Sequence, residues 1–193
     1  MERTAQLHRQ TKETEVDVSL CLEGGEVNVS TGVGFFDHML RAFAVHGGFG
    51  LTVHTVGDWE VDCHHTVEDT GIVLGQAFAR ALGERIGIRR YGSAFIPMDE
   101  TLGFCAADIS GRPFLVFLGE FPQERVGDFD TCMTEEFFRA FAFNAGITLH
   151  LECKYGKNSH HMIESLFKAA AHALQDAVED TGSDEVLSSK GVL

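Results

Sequence analysis

Two five-residue segments hold the side chains best suited to chemistry: His64-His65-Thr66-Val67-Glu68 and His160-His161-Met162-Ile163-Glu164. Each opens a stretch with helical apolar spacing. On a helix, residues three and four apart share a face, so the Glu can join either neighbouring His at one metal ion. Adjacent histidines point about 100° apart, so they serve two ions more readily than they chelate one. Neutral imidazole with carboxylate suits Mn, Fe, Zn, Co or Ni, and no thiolate is placed to select a soft ion. One such motif alone is more often a surface pair or a helix start. Its repetition in a duplicated framework carries the reading of a transition-metal site. The order also differs from His-Glu-x-x-His, where the general-base Glu lies between the ligands.

The repeat supplies further candidates. His38, in Phe35-Phe36-Asp37-His38-Met39-Leu40, opens a helical pattern, and its counterpart by alignment is Glu136. Both types ligate metals, although Glu136 also reads as a solvated first-turn carboxylate favoured by the helix dipole. His54 and His150 correspond on strands, where a framework histidine is the commoner outcome. His46, just before Gly47-Gly48, reads as a helix C-terminal residue. Basic residues number 15 against 29 acidic ones, which makes the placed ones informative. Arg89-Arg90-Tyr91-Gly92, Ser110-Gly111-Arg112-Pro113, Lys168 and Ser188-Ser189-Lys190-Gly191 could hold an anionic group such as a phosphate. Individually each is more often a surface charge. No P-loop or Gly-x-Gly-x-x-Gly supports nucleotide binding.

The elements that must position these groups repeat as well. Met39 to Gly48 parallels Phe137 to Gly146, and Leu51-Thr52-Val53-His54 parallels Ile147-Thr148-Leu149-His150, in the same order in both halves. Alternation over Glu13–Leu22 predicts a half-buried strand, Gly24-Gly25 a turn, and Glu26–Ser30 a returning strand. Phe36, Leu40, Phe43 and Ala44 predict a helix stopped by Gly47-Gly48. Leu51–Val56 reads as a strand and Thr66–Leu82 as a helix. In the second half, strands are expected at Thr101–Ile109, Phe114–Leu118 and Ile147–Cys153, with helices at Glu135–Ala145 and His160–Val178. The expected fold is α+β: an internally duplicated strand-strand-helix-strand-helix unit, with residues 1–92 and 93–193 as repeats of one compact layer sandwich.

Bulk composition limits the partners. A hydrophobic share of 44% against 23% charged residues allows a buried core. A formal charge of −14 argues against nucleic acid or an anionic membrane as the main partner. Five scattered cysteines without a Cys-x-x-Cys pair, and an N-terminus without an apolar signal segment, lead us to expect a cytoplasmic protein.

Several longer motifs together resemble the imidazoleglycerol-phosphate dehydratases of histidine biosynthesis. They are Thr11-Lys12-Glu13-Thr14, Phe35 to Leu40, His46-Gly47-Gly48-Phe49, His64 to Asp69, Pro97-Met98-Asp99-Glu100, Asp108 to Pro113, Asn158 to His161 and Ser189 to Val192. The resemblance runs from about Arg9 to the C-terminus. It implies a ribosomal-S5-domain-2-like fold and a 24-subunit homo-oligomer with two Mn2+ ions per subunit at its interfaces. One ion would be held by His38, His65, Glu68 and His161. The other would be held by His64, His160, Glu164 and the residue at 136, where many members carry His and this chain carries Glu136. The implied reaction is dehydration of D-erythro-imidazoleglycerol phosphate to imidazole acetol phosphate. Glu13 is then the expected base, acting with His38, His65 and Glu68, while Arg90, Arg112, Lys168, Ser189 and Lys190 would grip the phosphate. The expected route expels the hydroxyl beside the imidazole to a diazafulvene, then removes the C2 proton to give an enol. A dinuclear phosphoesterase and a non-catalytic metal-binding shell protein are the rival readings.

Overall fold

Along Thr14–Cys21, Val16, Val18 and Leu20 are buried while Glu15 and Asp17 face solvent. That period of two makes β2 a strand with one face on a core. The computed structural model, which describes residues 3–191 and 193, builds two halves around such strands. The first runs β1 (Thr4–Gln10), β2, β3 (Val27–Ser30), α1 (Gly34–Gly47), β4 (Gly50–Gly57) and α2 (His64–Leu82). The second runs β5 (Tyr91–Met98), β6 (Thr101–Asp108), β7 (Phe114–Leu118), a short hairpin β8 (Arg125–Val126) and β9 (Phe129–Asp130), then α3 (Met133–Ala145), β10 (Thr148–Tyr155) and α4 (Ser159–Val178). The expected duplicated α+β architecture is present. The main sheet of each half carries one strand more than the repeated motifs indicated, β1 and β5, ahead of the first strand read from sequence, and the second half adds the β8–β9 hairpin.

Sheet order repeats too: β1-β2-β4-β3 in one half and β5-β6-β10-β7 in the other. In both, the last strand joins in parallel, β3 to β4 and β7 to β10, through a crossover helix. Both crossover helices stop in the same way. Gly48 and Gly146 adopt left-handed φ values of 65° and 67°, and their N–H groups return to carbonyls of the last turn.

Each half's helices cover its own sheet, and the two helix layers meet crosswise, α1 against α4 and α2 against α3. Phenylalanines fill the junction. Phe36 lies 5.3 Å from Phe137, Phe78 5.5 Å from Phe141 and Phe137 5.2 Å from Phe167, by ring centroids. At the α2–α3 crossing, Gly71 and Gly75 let the backbones approach: a Cβ at Gly75 would lie 2.5 Å from the Phe141 carbonyl oxygen. Among the described residues no helix is long and apolar enough to cross a membrane.

Candidate active site

The crosswise packing brings the N-terminal turn of α1 to that of α4. His38 enters from α1, and His160 and Glu164 enter from α4, one helical turn apart. Glu164 Oε2 lies 3.3 Å from His38 Nε2 and 3.1 Å from His160 Nε2. The three ligand atoms lie within 4.8 Å of one another. Phe35 closes one side, its ring 4.9 Å from that of His160. Glu164 is buried, and its second oxygen accepts from Lys168 at 2.7 Å. Burial alone would raise its pKa, but Lys168 and His38 outweigh that and hold it below the usual carboxylate value. The result is a buried carboxylate kept ionised between two imidazoles, a donor set suited to a divalent first-row ion. A cleft of about 340 Å³ lined by Gln123, Arg125, Val126, Lys157, Asn158 and His160 opens beside it.

In the other half, α2 begins in the corresponding way. His64 Nε2 lies 3.5 Å from Glu68 Oε2. Glu136 on α3 is engaged with Arg139, 3.6 Å away. The single chain thus groups His38 with His160 and Glu164, and separately His64 with Glu68. The partition implied by the resemblance, with His38, His65, Glu68 and His161 at one ion, draws its ligands from more than one copy, whereas these are the contacts within one. Among the described residues no hydrogen bond, ion pair or ring contact joins His38 to His65 or Glu68. The physical reason is that α1 packs on α4, not on α2.

The second histidine of each pair points elsewhere and meets two carboxylates. His65 Nδ1 lies 2.9 Å from Asp58, and its Nε2 faces Glu13 at 3.8 Å. His161 Nδ1 lies 2.8 Å from Glu100, and its Nε2 faces Asp99 at 3.7 Å. Hydrogen bonding to Asp58 raises the pKa of His65, and bonding to Glu100 raises that of His161, against a small opposing effect of burial. Glu100 in turn is lowered to about 2, by His161 first and then by the Lys157 and Asn158 N–H groups. Sequence spacing does not mark Asp58 or Glu100 as site residues: Asp58 reaches His65 from the β4–α2 loop, and Glu100 reaches His161 from the distant β5–β6 turn. Glu13 sits in the β1–β2 turn, which is tied to α2: Thr14 Oγ donates to Asp69, and Arg9 lies 2.5 Å from the same carboxylate.

The basic residues gather at the far end of α4. Arg90 is 8% exposed, makes two hydrogen bonds to Asp108 at 2.7 and 3.2 Å, and donates to the Leu187 carbonyl at 2.6 Å. Arg112 is exposed and lies 3.9 Å from the same Asp108. Ser189 and Lys190 are exposed in the tail that Arg90 secures. Arg90 N–H bonds to the carbonyl of Ala177, near the last residue of α4, whereas His160 stands near its first. At 1.5 Å per residue that is about 25 Å. Lys168, on α4 between them, is the member of the basic set that reaches the metal-type cluster.

A family model described as imidazoleglycerol-phosphate dehydratase matches residues 31–174, which hold His38 and both His-His motifs. The chain belongs to the imidazoleglycerol-phosphate dehydratase family. Curated relatives of that name extend the match to the whole chain. The protein from Acetivibrio thermocellus is 56% identical over 195 residues, covering 100% of both chains. That from Symbiobacterium thermophilum is 59% identical, covering 100% of this chain and 93% of its own. Among solved structures, imidazoleglycerol-phosphate dehydratase from Staphylococcus aureus superposes with a TM-score of 0.85 at 41% identity, over 92% of this chain and 99% of that one. The Pyrococcus furiosus structure, in complex with (S)-C348, gives 0.85 at 34% identity, over 97% and 100%. This dehydratase family consists of hydro-lyases of histidine biosynthesis, and this chain is a member.

Proposed function

We propose that the protein removes water from D-erythro-imidazoleglycerol phosphate to give imidazole acetol phosphate, with two Mn2+ ions per subunit. The observation that carries this reading is the convergence of His38, His160 and Glu164 from two helices onto one point. His38, His160 and Glu164 would hold one ion. His64 and Glu68, with Glu136 turned from Arg139, would hold the second by the same topology. His65 and His161 diverge from their neighbours and would complete the ions of adjacent copies. Hard nitrogen and oxygen donors fit Mn2+.

A divalent ion held by these residues would act as a Lewis acid that lowers the pKa of the substrate's imidazole N–H and so would ease departure of the hydroxyl on the adjacent carbon. The departing hydroxide takes up the ring N–H proton and leaves as water; Glu13 then takes the C2 proton and returns it to the ring nitrogen, and the enol that results tautomerises to the ketone. Glu13 reaches the Nε2 side of His65, which supports its place beside the reacting carbons. Arg90, Arg112, Ser189 and Lys190 grip the phosphate, and Lys168 joins them from beside the ion. Their distance from His160 is too great for one small substrate to span within one chain. Another copy therefore supplies them, and a closed homo-oligomer of 24 subunits in the cytoplasm is the assembly we favour. Remote binding of the phosphate orients the reacting carbons.

Incubation with imidazoleglycerol phosphate and Mn2+ tests the reading. A ketone product with phosphate retained supports it. Free phosphate would point to a phosphoesterase, and an unchanged substrate to a metal-binding protein without this activity.

A further inference from the structure

The two halves solve one problem with different residues. A neutral imidazole offers a metal its Nε2 lone pair only when the proton sits on Nδ1. Histidines at metal sites commonly donate that proton to a carboxylate, which fixes both tautomer and ring orientation. For His65 the acceptor is Asp58, whose two oxygens lie 3.1 and 2.9 Å from Nδ1. Asp58 stands six residues ahead of His64; six ahead of His160 stands Lys154, which cannot accept and pairs with Glu152 instead. The second half takes its acceptor from another element. Glu100, in the β5–β6 turn, places Oε2 2.8 Å from His161 Nδ1. Its Oε1 accepts the N–H groups of Lys157 (3.1 Å) and Asn158 (3.0 Å), the residues that lead into α4.

We propose that Glu100 is a positioning residue that holds His161 in its Nδ1–H tautomer and leaves Nε2 for a divalent cation, as Asp58 does for His65. The proposal rests on the metal-site reading given above. It also explains a division of labour between two corresponding hairpin turns. Glu13 lies in the β1–β2 turn as Glu100 lies in the β5–β6 turn, each immediately before the second strand of its half. Because Asp58 already holds His65 Nδ1, Glu13 is left on the Nε2 side, where it can meet substrate. Glu100 is committed to its own histidine and cannot serve in that way.

Glu100→Gln separates anchoring from packing. The amide oxygen can still accept from Lys157 and Asn158, while its NH₂ donates to Nδ1 and favours the Nε2–H tautomer, which leaves no lone pair at Nε2 for a metal. Solid-state ¹⁵N NMR of histidine-labelled, metal-free protein at about pH 8.5, where an ordinary histidine is neutral, reads the tautomer directly. His161→Gln assigns the resonance. The wild type should show Nδ1–H at His161 and Glu100→Gln should show Nε2–H. Mn2+ titration followed by EPR of the free ion should show one class of sites weakened about 10- to 100-fold in Glu100→Gln and unchanged in Glu13→Gln. Glu100→Gln should produce no further weakening when His161 is already replaced, an outcome a merely structural role would not give. An Nε2–H tautomer in the wild type overturns the proposal, whether or not any variant folds. Equal Mn2+ affinity in wild type and Glu100→Gln also overturns it. Failure of the wild type to take up Mn2+ would sink the functional reading instead, with the tautomer still deciding the role of Glu100.

Discussion

His38 Nε2 and Glu164 Oε2 lie 3.3 Å apart although 126 residues separate them in the chain. Only the packing of α1 on α4 can produce that contact, so the candidate metal cluster depends on the docking of one repeat against the other. Local sequence on either helix is not enough.

Replacing Glu164 should therefore act on one ion and spare the other. Glu164→Gln removes the charge between His38, His160 and Lys168 and leaves the Lys168 ammonium, 17% exposed, without its ion-pair partner. Metal analysis of chelator-free protein should fall from about two Mn2+ per chain to about one, with turnover down by at least about 100-fold, since a bound ion is worth several kcal/mol at the transition state. Unchanged metal content would remove Glu164 from the ligand set.

Asp69 follows Glu68 on α2 and holds Thr14, the residue after Glu13, together with Arg9. This contact sets where the Glu13 turn sits relative to the helix that carries His64 and His65. Asp69→Asn should lower kcat by about 10- to 100-fold with KM nearly unchanged, the cost expected for misplacing a reacting group by about an ångström. An unaltered kcat would show that the turn is held by other contacts.

The α2–α3 crossing gives a stability prediction with its own control. Gly75→Ala would gain roughly 1 kcal/mol of helix propensity. Its new Cβ, however, would meet the Phe141 carbonyl oxygen at 2.5 Å and the Asn144 Cβ at 2.9 Å. Overpacking of about 1–3 kcal/mol should win, and the melting temperature should fall. Gly34→Ala, with nothing within 4 Å of its new Cβ, should be neutral or stabilising. Equal melting temperatures for the two variants would contradict the close approach.

The Glu100–His161 pair should leave a mark on the pH dependence of the metal-free protein. Glu100 is lowered from 4.5 to about 2, so its contribution is full above pH 4.5 and disappears as pH falls toward 2. His161 is raised above 6.5, so its contribution is full below pH 6.5 and is lost as pH rises through the folded value. The stability difference between wild type and Glu100→Gln should be largest between about pH 4.5 and 6.5 and shrink on both sides. Urea unfolding across that range measures it; a flat difference would show that the pair is not formed.

Much of this architecture is legible in the chain because it is local. The α1 and α3 stops follow from Gly48 and Gly146, and the α2 and α4 starts from the His-His motifs. Strand β1 escapes a periodicity reading, since only Ala5 and Leu7 of Thr4–Gln10 are apolar and its outer positions are polar. Strand β5 is an edge strand with no fully buried position, and it contains Pro97. The ligand grouping was not legible either. Spacing shows that His64 and His65 diverge, but whether His38 joins His160 depends on which helices cross. Arg90 reads from its motif as a basic group able to hold a phosphate, but its ties to Asp108 and the Leu187 carbonyl appear only in the fold.

The central claim is that the histidine and glutamate cluster holds Mn2+ for dehydration of imidazoleglycerol phosphate. Its most direct test is turnover of chelator-stripped protein as Mn2+ is added back in known ratio. We expect no ketone product without metal, a rise with added Mn2+, and saturation near two ions per chain. Full turnover by the stripped protein, or no ketone at any Mn2+ ratio with the fold intact, would contradict the claim.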